Sequence, residues 1–517
     1  MPSLVQAFSC SLHATKNLQI TLQLFEYHLE LRSAFGTSHS STTHRKNSLV
    51  NISIQEQYHE SSRSSFFEGF GECGLPPKKP NCYLADFDDI KFYFEQFCKH
   101  VERDVKSEKI QQLLNFDGNT DDAHVISQMF DECFTSTCGT QYFSTLKEEL
   151  AKWSTFVKEK NSAATVSNIR SNALVTPLLL LYILDKNEYV DQCGKTHPEF
   201  EHCAQCVIEM AILDLWSKIV SKPLYSVIGI PAPIGKFSFY TAALNEDIQE
   251  IVKTAKLGLT KTKHLKIKLD SNIDRGILIV KTLLETYEKE YGSNNGHDVT
   301  ATRWSIDANT VWTPELSLEF LRRVKTEVPH FLPYFYMLEQ PFPISFESSS
   351  TNNENCATFE KDISLIKNKW IQVKQEYENA GILIFADESV NTFENIPVLC
   401  PFIHGINIKL EKAGGIRGAL KTAIIAQSEY HLRLWFGCMV SSRLSCTCSS
   451  HLMSLSEIGG DLDGDLLVTE SSQAFEKGFT WKNDLTFHSS LPMIGPQHGE
   501  IILQSDQIPG IGVDRNF

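Results

Sequence analysis

The runs HLKIKLD (264–270), SIDANTVW (305–312), MLEQPF (337–342), FADES (385–389) and INIKLEKAGG (406–415) decide how this chain folds. Each opens as a short apolar segment of strand type and closes on a charged side chain, and a stretch of helical length follows before the next. Extending the reading outward gives strand segments at Phe237–Leu244, His264–Leu269, Arg303–Asp307, Tyr336–Glu339, Ile382–Asp387, Gly405–Leu410 and Leu432–Phe436. Strands that alternate with helices are joined by right-handed crossovers into a parallel sheet. Seven or eight in succession predict an α/β fold, a closed (β/α)8 barrel of TIM type. An open doubly wound sheet would bring a switch point and a phosphate loop. The glycine-rich pieces Ala413-Gly414-Gly415 and Gly459-Gly460 lack a Walker or dinucleotide pattern.

Charged residues stand where buried strands should end in apolar ones. The endings are Lys266-Ile267-Lys268, Asp307-Ala308-Asn309, Glu339-Gln340-Pro341, Asp387-Glu388-Ser389 and Lys409. Alternation along a strand puts Lys266 and Lys268 on one face. In a barrel all strand C-termini converge on one mouth, where catalytic groups collect. Asp307, Glu339 and Asp387 then form a set of hard oxygen donors that selects Mg²⁺, one per subunit, or Mn²⁺. The lysine-bearing second and sixth strands flank this set from opposite sides. Such a layout suits removal of a weakly acidic proton beside a carboxylate: the metal stabilises the enediolate, and lysines supply and accept the proton. A metal and a second ammonium nearby are expected to lower the pKa of the lysine that acts as base. A salt bridge explains one such strand end. It does not explain the order Lys, acid, acid, acid, Lys over five consecutive strands.

The rest of the composition sets bounds. With 517 residues the chain exceeds one simple unit, and 42% hydrophobic with 21% charged residues is ordinary for a globular protein. A formal charge of −15 argues against a nucleic-acid partner, whose affinity rests on clustered Lys and Arg. No run reaches the roughly 18 apolar residues of a membrane span; the longest is Ala173–Leu184. The 14 cysteines are too dilute for a disulfide framework and point to a reducing, cytoplasmic setting. A short organelle-targeting extension over Met1–Leu12 is the alternative, since no acid precedes Glu26. A small-molecule partner and assembly as a homo-oligomer are compatible with all of this.

Upstream of the barrel, Asn17–Tyr27 and Leu49–Ile54 read as a hairpin with a polar loop at Gly36–Lys46. Phe200–Trp216 reads as an amphipathic helix whose apolar face carries Cys203, Cys206, Val207, Met210, Ala211 and Leu215. Ser345–Cys356 reads as a low-complexity surface loop. Cys203 and Cys206, and likewise Cys446, Cys448 and His451, are expected to be packing residues, not metal ligands.

The five barrel runs, with Gly69-Phe70-Gly71-Glu72 and Glu209-Met210-Ala211, resemble the enolase superfamily in its muconate-lactonizing subgroup. They are most similar to the dipeptide epimerases, a group that includes L-Ala-D/L-Glu epimerase. The resemblance runs from about Asn17 to the C-terminus and is clearest from Phe237 to Leu467. It implies an α+β capping domain formed by residues 1–236, with insertions at about 80–200, and by the C-terminal segment 468–517. This domain would close over a catalytic barrel at 237–467. The resemblance also implies that Asp307, Glu339 and Asp387 bind Mg²⁺. Lys268 and Lys409 would be the acid/base groups on opposite faces of the substrate α-carbon, and Lys266 would support the carboxylate or lower the pKa of Lys268.

Asp461-Leu462-Asp463 matches the Asp-x-Asp after the eighth strand that in dipeptide epimerases meets the substrate ammonium. The implied reaction is Mg-dependent 1,1-proton transfer at the α-carbon of a dipeptide's C-terminal residue. N-acylamino acid racemase, cycloisomerase and o-succinylbenzoate synthase-like reactions share the site, and a catalytically silent binding protein would keep the fold. Two departures stand out. Ser441 sits where an acid often follows the seventh strand. Ser40 sits where relatives acting on Ala-Glu carry an arginine, so a substrate other than Ala-Glu is expected, with His39, His44 or Arg45 as compensating residues.

Overall fold

The structure, a computed structural model, describes residues 1–14, 16–36, 41–57, 64–78, 83–107, 110, 120–139, 141–160, 171–190, 198–291, 302–344, 356–488, 491–503 and 508–517. The low-complexity stretch at 345–355 therefore lies outside the described residues.

Four antiparallel strands open the chain in the order β1 (Pro2–Ala14), β2 (Lys16–Gly36), β3 (Ser41–Gln57) and β4 (Ser64–Cys73). The expected hairpin is β2 with β3, in register from Asn17↔Gln57 to Glu30↔His44 and, after a register shift, paired again at Phe35↔Thr42 and Gly36↔Ser41. The stretch considered as a targeting extension is β1, which pairs with β2 from Pro2↔Tyr27 onward. Alternation sets the buried face: Leu18, Ile20, Leu22 and Leu24 are buried. That face covers the helix Pro198–Ile219. At Gly71 a Cβ would fall 2.0 Å from the Val207 carbonyl oxygen, so only glycine lets β4 lie on the helix backbone. The helix is buried on all sides instead of amphipathic: Val207, Ile208, Met210, Ile212, Leu213 and Leu215 are all fully buried. Besides the sheet, the helices Ser171–Leu184 and Phe87–Val105 and the barrel segment Leu410–Ala413 pack on it, none of which its own pattern reveals.

The barrel follows as β5 (Phe237–Ser238), β6 (Tyr240–Ala242), β7 (Leu265–Lys268), β8 (Trp304–Asp307), β9 (Phe335–Glu339), β10 (Leu383–Ala386), β11 (Gly405–Ile408), β12 (Arg433–Gly437) and β13 (Gly459–Asp461). Their spatial order, β5-β13-β12-β11-β10-β9-β8-β7-β6, is parallel throughout. β5 and β6 are two halves of one first strand. One half pairs with the last strand and the other with the second, which closes the (β/α)8 barrel. Phe239, Met337, Phe385 and Trp435 fill its interior as an apolar layer.

Helices Phe87–Val105, Thr120–Phe130 and Ser171–Leu184 lie between the antiparallel sheet and the barrel in the chain and join the main core. The last contains the Ala173–Leu184 run, and no helix of the described residues is long and apolar enough to cross a membrane. Arg417, at the start of the barrel helix Ile416–Ser428, ties this region down. It donates to both Asp185 oxygens (2.7 and 2.8 Å), to Glu209 Oε2 (2.7 Å) and to the Cys133 carbonyl (2.9 Å). The C-terminal tail returns to the antiparallel sheet. Phe475 meets Phe70 edge-on at 5.4 Å, and the Tyr27 hydroxyl donates to the Ser472 carbonyl at 2.9 Å.

His451 clamps the tail to the barrel. Its Nδ1 accepts from the Tyr225 amide (3.2 Å), and its Nε2 donates to the Ile511 carbonyl (3.1 Å), which selects one neutral tautomer. Burial holds its pKa down from 6.5 to about 4. The folded state therefore binds fewer protons than the unfolded state between those values, and stability rises with pH across that window. Lowering the pH from 6.5 to about 4 is expected to remove on the order of 3 kcal/mol through this residue. Urea denaturation over that range, compared with His451→Gln, should show the wild-type pH slope exceeding that of the variant; equal slopes would exclude the assignment.

Candidate active site

Register gathers the ionisable residues at the C-terminal rim. Lys268, Asp307 and Glu339 lie side by side at the ends of β7, β8 and β9. Asp387 follows β10 and Lys409 follows β11. Asp461 is the last residue of the eighth strand itself, opposite Gly437, because pairing with β12 continues through it. Eight of the residues singled out in the sequence thus meet at one mouth: Lys266, Lys268, Asp307, Glu339, Asp387, Lys409, Asp461 and Asp463, all buried. Ser40 and His39 lie outside the described residues.

Lys266 Nζ is the centre of this layer. It sits 2.7 and 2.9 Å from the two Glu339 oxygens, 2.8 Å from Asp461 Oδ2 and 3.2 Å from Asp307 Oδ2. Lys268 Nζ donates to Asp307 Oδ2 (2.9 Å) and Asn309 Oδ1 (3.0 Å). Lys409 Nζ donates to Asp387 Oδ2 (2.7 Å), while Lys412 takes Asp387 Oδ1 (2.6 Å) and its carbonyl. Asp461 Oδ1 also accepts from the Trp435 indole (2.7 Å), and Asp463 Oδ2 from the Thr241 amide (2.5 Å). At Gly437 a Cβ would lie 2.9 Å from both Lys409 Cε and Asp461 Oδ1, so glycine there leaves the room these side chains occupy.

Several supporting residues escaped the sequence reading. Gln340 adopts φ +40°, in the left-handed region, and its Oε1 accepts from the Asp387 amide (2.7 Å) and the Ser389 amide (3.2 Å), which orients Asp387. Asn309, at φ +43°, links Lys268, Asp307 and Glu388 (3.0 Å). Asn407 donates to Glu339 Oε1 (2.9 Å). Its position two residues before Lys409 on one strand was the available signal. Ser441, in place of the expected acid, is buried and donates to the Met439 carbonyl (3.1 Å).

The electrostatics follow from burial and pairing. Burial opposes the charged form of Asp307, yet Lys268 and Lys266 hold its carboxyl down at about 2. Burial, together with the neighbouring acids, pushes Glu339 up against the pull of Lys266. Lys409 is pulled down by burial, but Asp387 outweighs this and raises it above the usual lysine range. The reason is that its nearest neighbour is a carboxylate and not a cation. Burial, then Asp461, raises Asp463 to about 6.

Four buried lysines, Lys266, Lys268, Lys409 and Lys412, face six buried carboxylates, Asp307, Glu339, Asp387, Glu388, Asp461 and Asp463. The excess of two negative charges, all on hard oxygen donors, fits a divalent cation such as Mg²⁺. Among the described residues no group of three or more His, Cys, Asp or Glu side chains is placed to hold a metal ion, and Asp307, Glu339 and Asp461 converge on the Lys266 ammonium instead. A cavity of about 270 Å³ opens over the layer. Thr241, Lys268, Lys409 and Asp463 form its floor, and Arg45, Pro76, Lys78 and Tyr83 form the wall contributed by the antiparallel-sheet half. Of the residues near the β2–β3 turn, His44 is exposed and Arg45 is buried.

A barrel mouth with paired lysines around three strand-end carboxylates is an arrangement chemically able to move protons. No family profile matches the chain. An enolase superfamily member from Dictyostelium discoideum is 34% identical over 461 residues, 89% of this chain and 91% of that protein. This chain belongs to the enolase superfamily. An L-Ala-D/L-amino acid epimerase from Pedosphaera parvula is 24% identical over 294 residues, 56% of this chain and 71% of that protein. Among solved structures, the dipeptide epimerase of Cytophaga hutchinsonii, complexed with Mg and D-Ala-L-Val, superposes with a TM-score of 0.53. It shares 18% identity, over 96% of this chain and 95% of that one. With relatives named as epimerases, the chain is an enzyme of the isomerase class.

The position of Lys266 generates a stability test. Lys266→Met would leave Glu339, Asp307 and Asp461 facing one another without their shared ammonium, at an expected cost of about 3–5 kcal/mol. Urea denaturation in EDTA measures it; a loss below about 1 kcal/mol would mean that these carboxyls are protonated and do not need Lys266.

Proposed function

We propose that the protein is a Mg²⁺-dependent dipeptide epimerase that inverts the α-carbon of the C-terminal residue by 1,1-proton transfer. One observation carries the reading. Lys268 and Lys409 come from the second and sixth strands of the barrel and line the same cavity, so a substrate seated there has an ammonium-bearing side chain on either side. Racemisation at carbon needs that arrangement, one group to remove a proton from one face and another to deliver a proton to the opposite face. The same reading divides the chain into capping segments, 1–236 and 468–517, and a barrel at 237–467.

Asp307, Glu339 and Asp387 would hold the cation. When bound, it would supply positive charge for the anion that develops on the substrate carboxylate. Lys409 exchanges a proton at Nζ with one face of the α-carbon, and Lys268 with the other. Lys266 remains among Glu339 and Asp461 and keeps positive charge beneath the substrate carboxylate. Asp463, with its oxygen anchored by the Thr241 amide, and Asp461 present negative charge to the dipeptide ammonium, a buried cation that needs compensation. Asn309 and Gln340 fix Asp307 and Asp387 in place, so little reorganisation accompanies proton transfer.

Incubation with a dipeptide panel and Mg²⁺ in D₂O is expected to give α-deuterium and inverted product by NMR and chiral chromatography. Lys268→Ala and Lys409→Ala are each expected to lose a hundredfold or more in exchange rate, on the order of what a positioned acid or base contributes. Full exchange in either variant would rule out the two-base mechanism. EDTA should lower the melting temperature and Mg²⁺ restore it, since the cation binds only the folded rim; a chelation-insensitive melting curve would remove the metal from the proposal.

A further inference from the structure

Asp387 stands between two ammoniums, one on each carboxylate oxygen. Lys409 Nζ meets Oδ2 (2.7 Å) and Lys412 Nζ meets Oδ1 (2.6 Å). The two lysines differ in place. Lys409 follows β11 and lines the cavity, whereas Lys412 comes three residues later, in the helical turn Leu410–Ala413, and is buried without being part of the lining. That turn is firmly seated. The Lys412 and Ala413 amides both donate to the Lys409 carbonyl (3.1 Å). The turn ends in Gly414 and Gly415, both at positive φ, and a Cβ on Gly415 would lie 2.6 Å from Glu209 Oε1 on the helix Pro198–Ile219.

Lys412 Nζ donates to the Asp387 backbone carbonyl as well, so one ammonium bridges the main chain and the side chain of the same residue. The Asp387 amide is held in turn by Gln340 Oε1 (2.7 Å). Main chain fixed on both sides, together with a fixed Oδ1, settles the side-chain torsions of an aspartate. Oδ2 is then the oxygen left for Lys409, and its position follows from the clamp. Charge points the same way. One carboxylate compensates one buried ammonium, and Lys412 has no other carboxylate partner among the described residues. A second buried ammonium on Asp387 is costly to keep, and it gives Asp387 a counter-charge that does not depend on Lys409.

We infer that Lys412 is a positioning residue for proton transfer: acting through Asp387, it fixes where the Lys409 ammonium stands over the cavity. The inference rests on the epimerase reading for the reaction and on the clamp of Asp387 for the route. It implies an effect concentrated on one face of the substrate, since Lys268 is held by Asp307 and Asn309 instead.

In D₂O each lysine alone can wash deuterium, with retention of configuration, into the epimer whose α-proton it faces, whereas inversion needs both. The epimer served by Lys409 is the one whose retention exchange suffers more in Lys409→Ala than in Lys268→Ala. Lys412→Met is expected to slow exchange of that epimer about 100-fold, as misplacement of a reacting group by about an ångström does, and of the other epimer only a few-fold. Lys412→Arg, which keeps positive charge and donors beside Oδ1, should recover part of the loss and serves as the variant where Lys412→Met does not fold. Urea denaturation in EDTA reads the clamp without turnover: Lys412→Met is expected to cost less stability combined with Asp387→Asn than on its own. Equal losses on the two epimers would overturn the inference and leave the epimerase reading standing. Absence of exchange with every dipeptide in the wild-type protein would sink the epimerase reading, and the role in proton transfer with it. Equal stability costs in the two backgrounds would remove the clamp, and so the inference, whatever the exchange shows.

Discussion

The layer of ammonium and carboxylate groups around Lys266 Nζ is the constraint on which the rest of this structure depends. Removing an ion from water costs several kcal/mol even in a relaxed protein, and only close, well-directed partners offset it. Lys266 meets that demand with Glu339, Asp461 and Asp307, all within 3.2 Å and all essentially inaccessible to solvent. These partners come from the third, fourth and eighth strands. They can surround one ammonium only if the sheet closes on itself. Burial of the charge and closure of the barrel are therefore one requirement.

Other features follow from it. The interior beneath the charges is filled with Phe239, Met337, Phe385 and Trp435, an apolar floor that keeps water out and strengthens every contact above it. Trp435 serves both layers, since its ring packs in the floor while its indole N–H holds Asp461. Glycine at 437 makes way for Lys409 and Asp461, and the left-handed backbone of Asn309 and Gln340 turns their amides toward Asp307 and Asp387. Local strain at strand ends is tolerated where the hydrogen bonds it permits hold a functional side chain.

The sequence made the barrel and its rim legible because both are local. An apolar segment of strand length ending in Lys, Asp or Glu is visible in five or six residues, and parity alone puts Lys266 and Lys268 on one face. What lay beyond reach was set by contacts distant in the chain. Phe200–Trp216 reads as amphipathic because its pattern says nothing of the helices Ser171–Leu184 and Phe87–Val105 that also pack on it. Pro2–Ala14 is a strand only through its pairing with β2, which its own residues do not reveal. The raised pKa of Lys409 depends on Asp387, contributed by a different strand. Arg45 was one candidate among three near a turn until burial separated it from His44.

Ser441 shows how such long-range contacts reshape a motif. The loop after β12 has serine where an acid was expected, yet a carboxylate does reach this loop from the antiparallel sheet. Glu72 accepts from the Ser442 amide (2.9 Å) and hydroxyl and from the Ser445 amide (3.4 Å), and so caps the start of the helix Arg443–Ser450. Burial raises the pKa of Glu72, and a second buried acid, Glu411, lies close enough to Ser445 Oγ (3.3 Å) to share its environment. A third carboxylate at 441 would add like charge to two groups already short of cationic partners, whereas a hydroxyl turned to the Met439 carbonyl adds none. Serine at this position is thus the electrostatic counterpart of Glu72. The Gly69-Phe70-Gly71-Glu72 strand packs on one helix through Gly71 and anchors another through Glu72, which fixes the wall of the cavity relative to its floor.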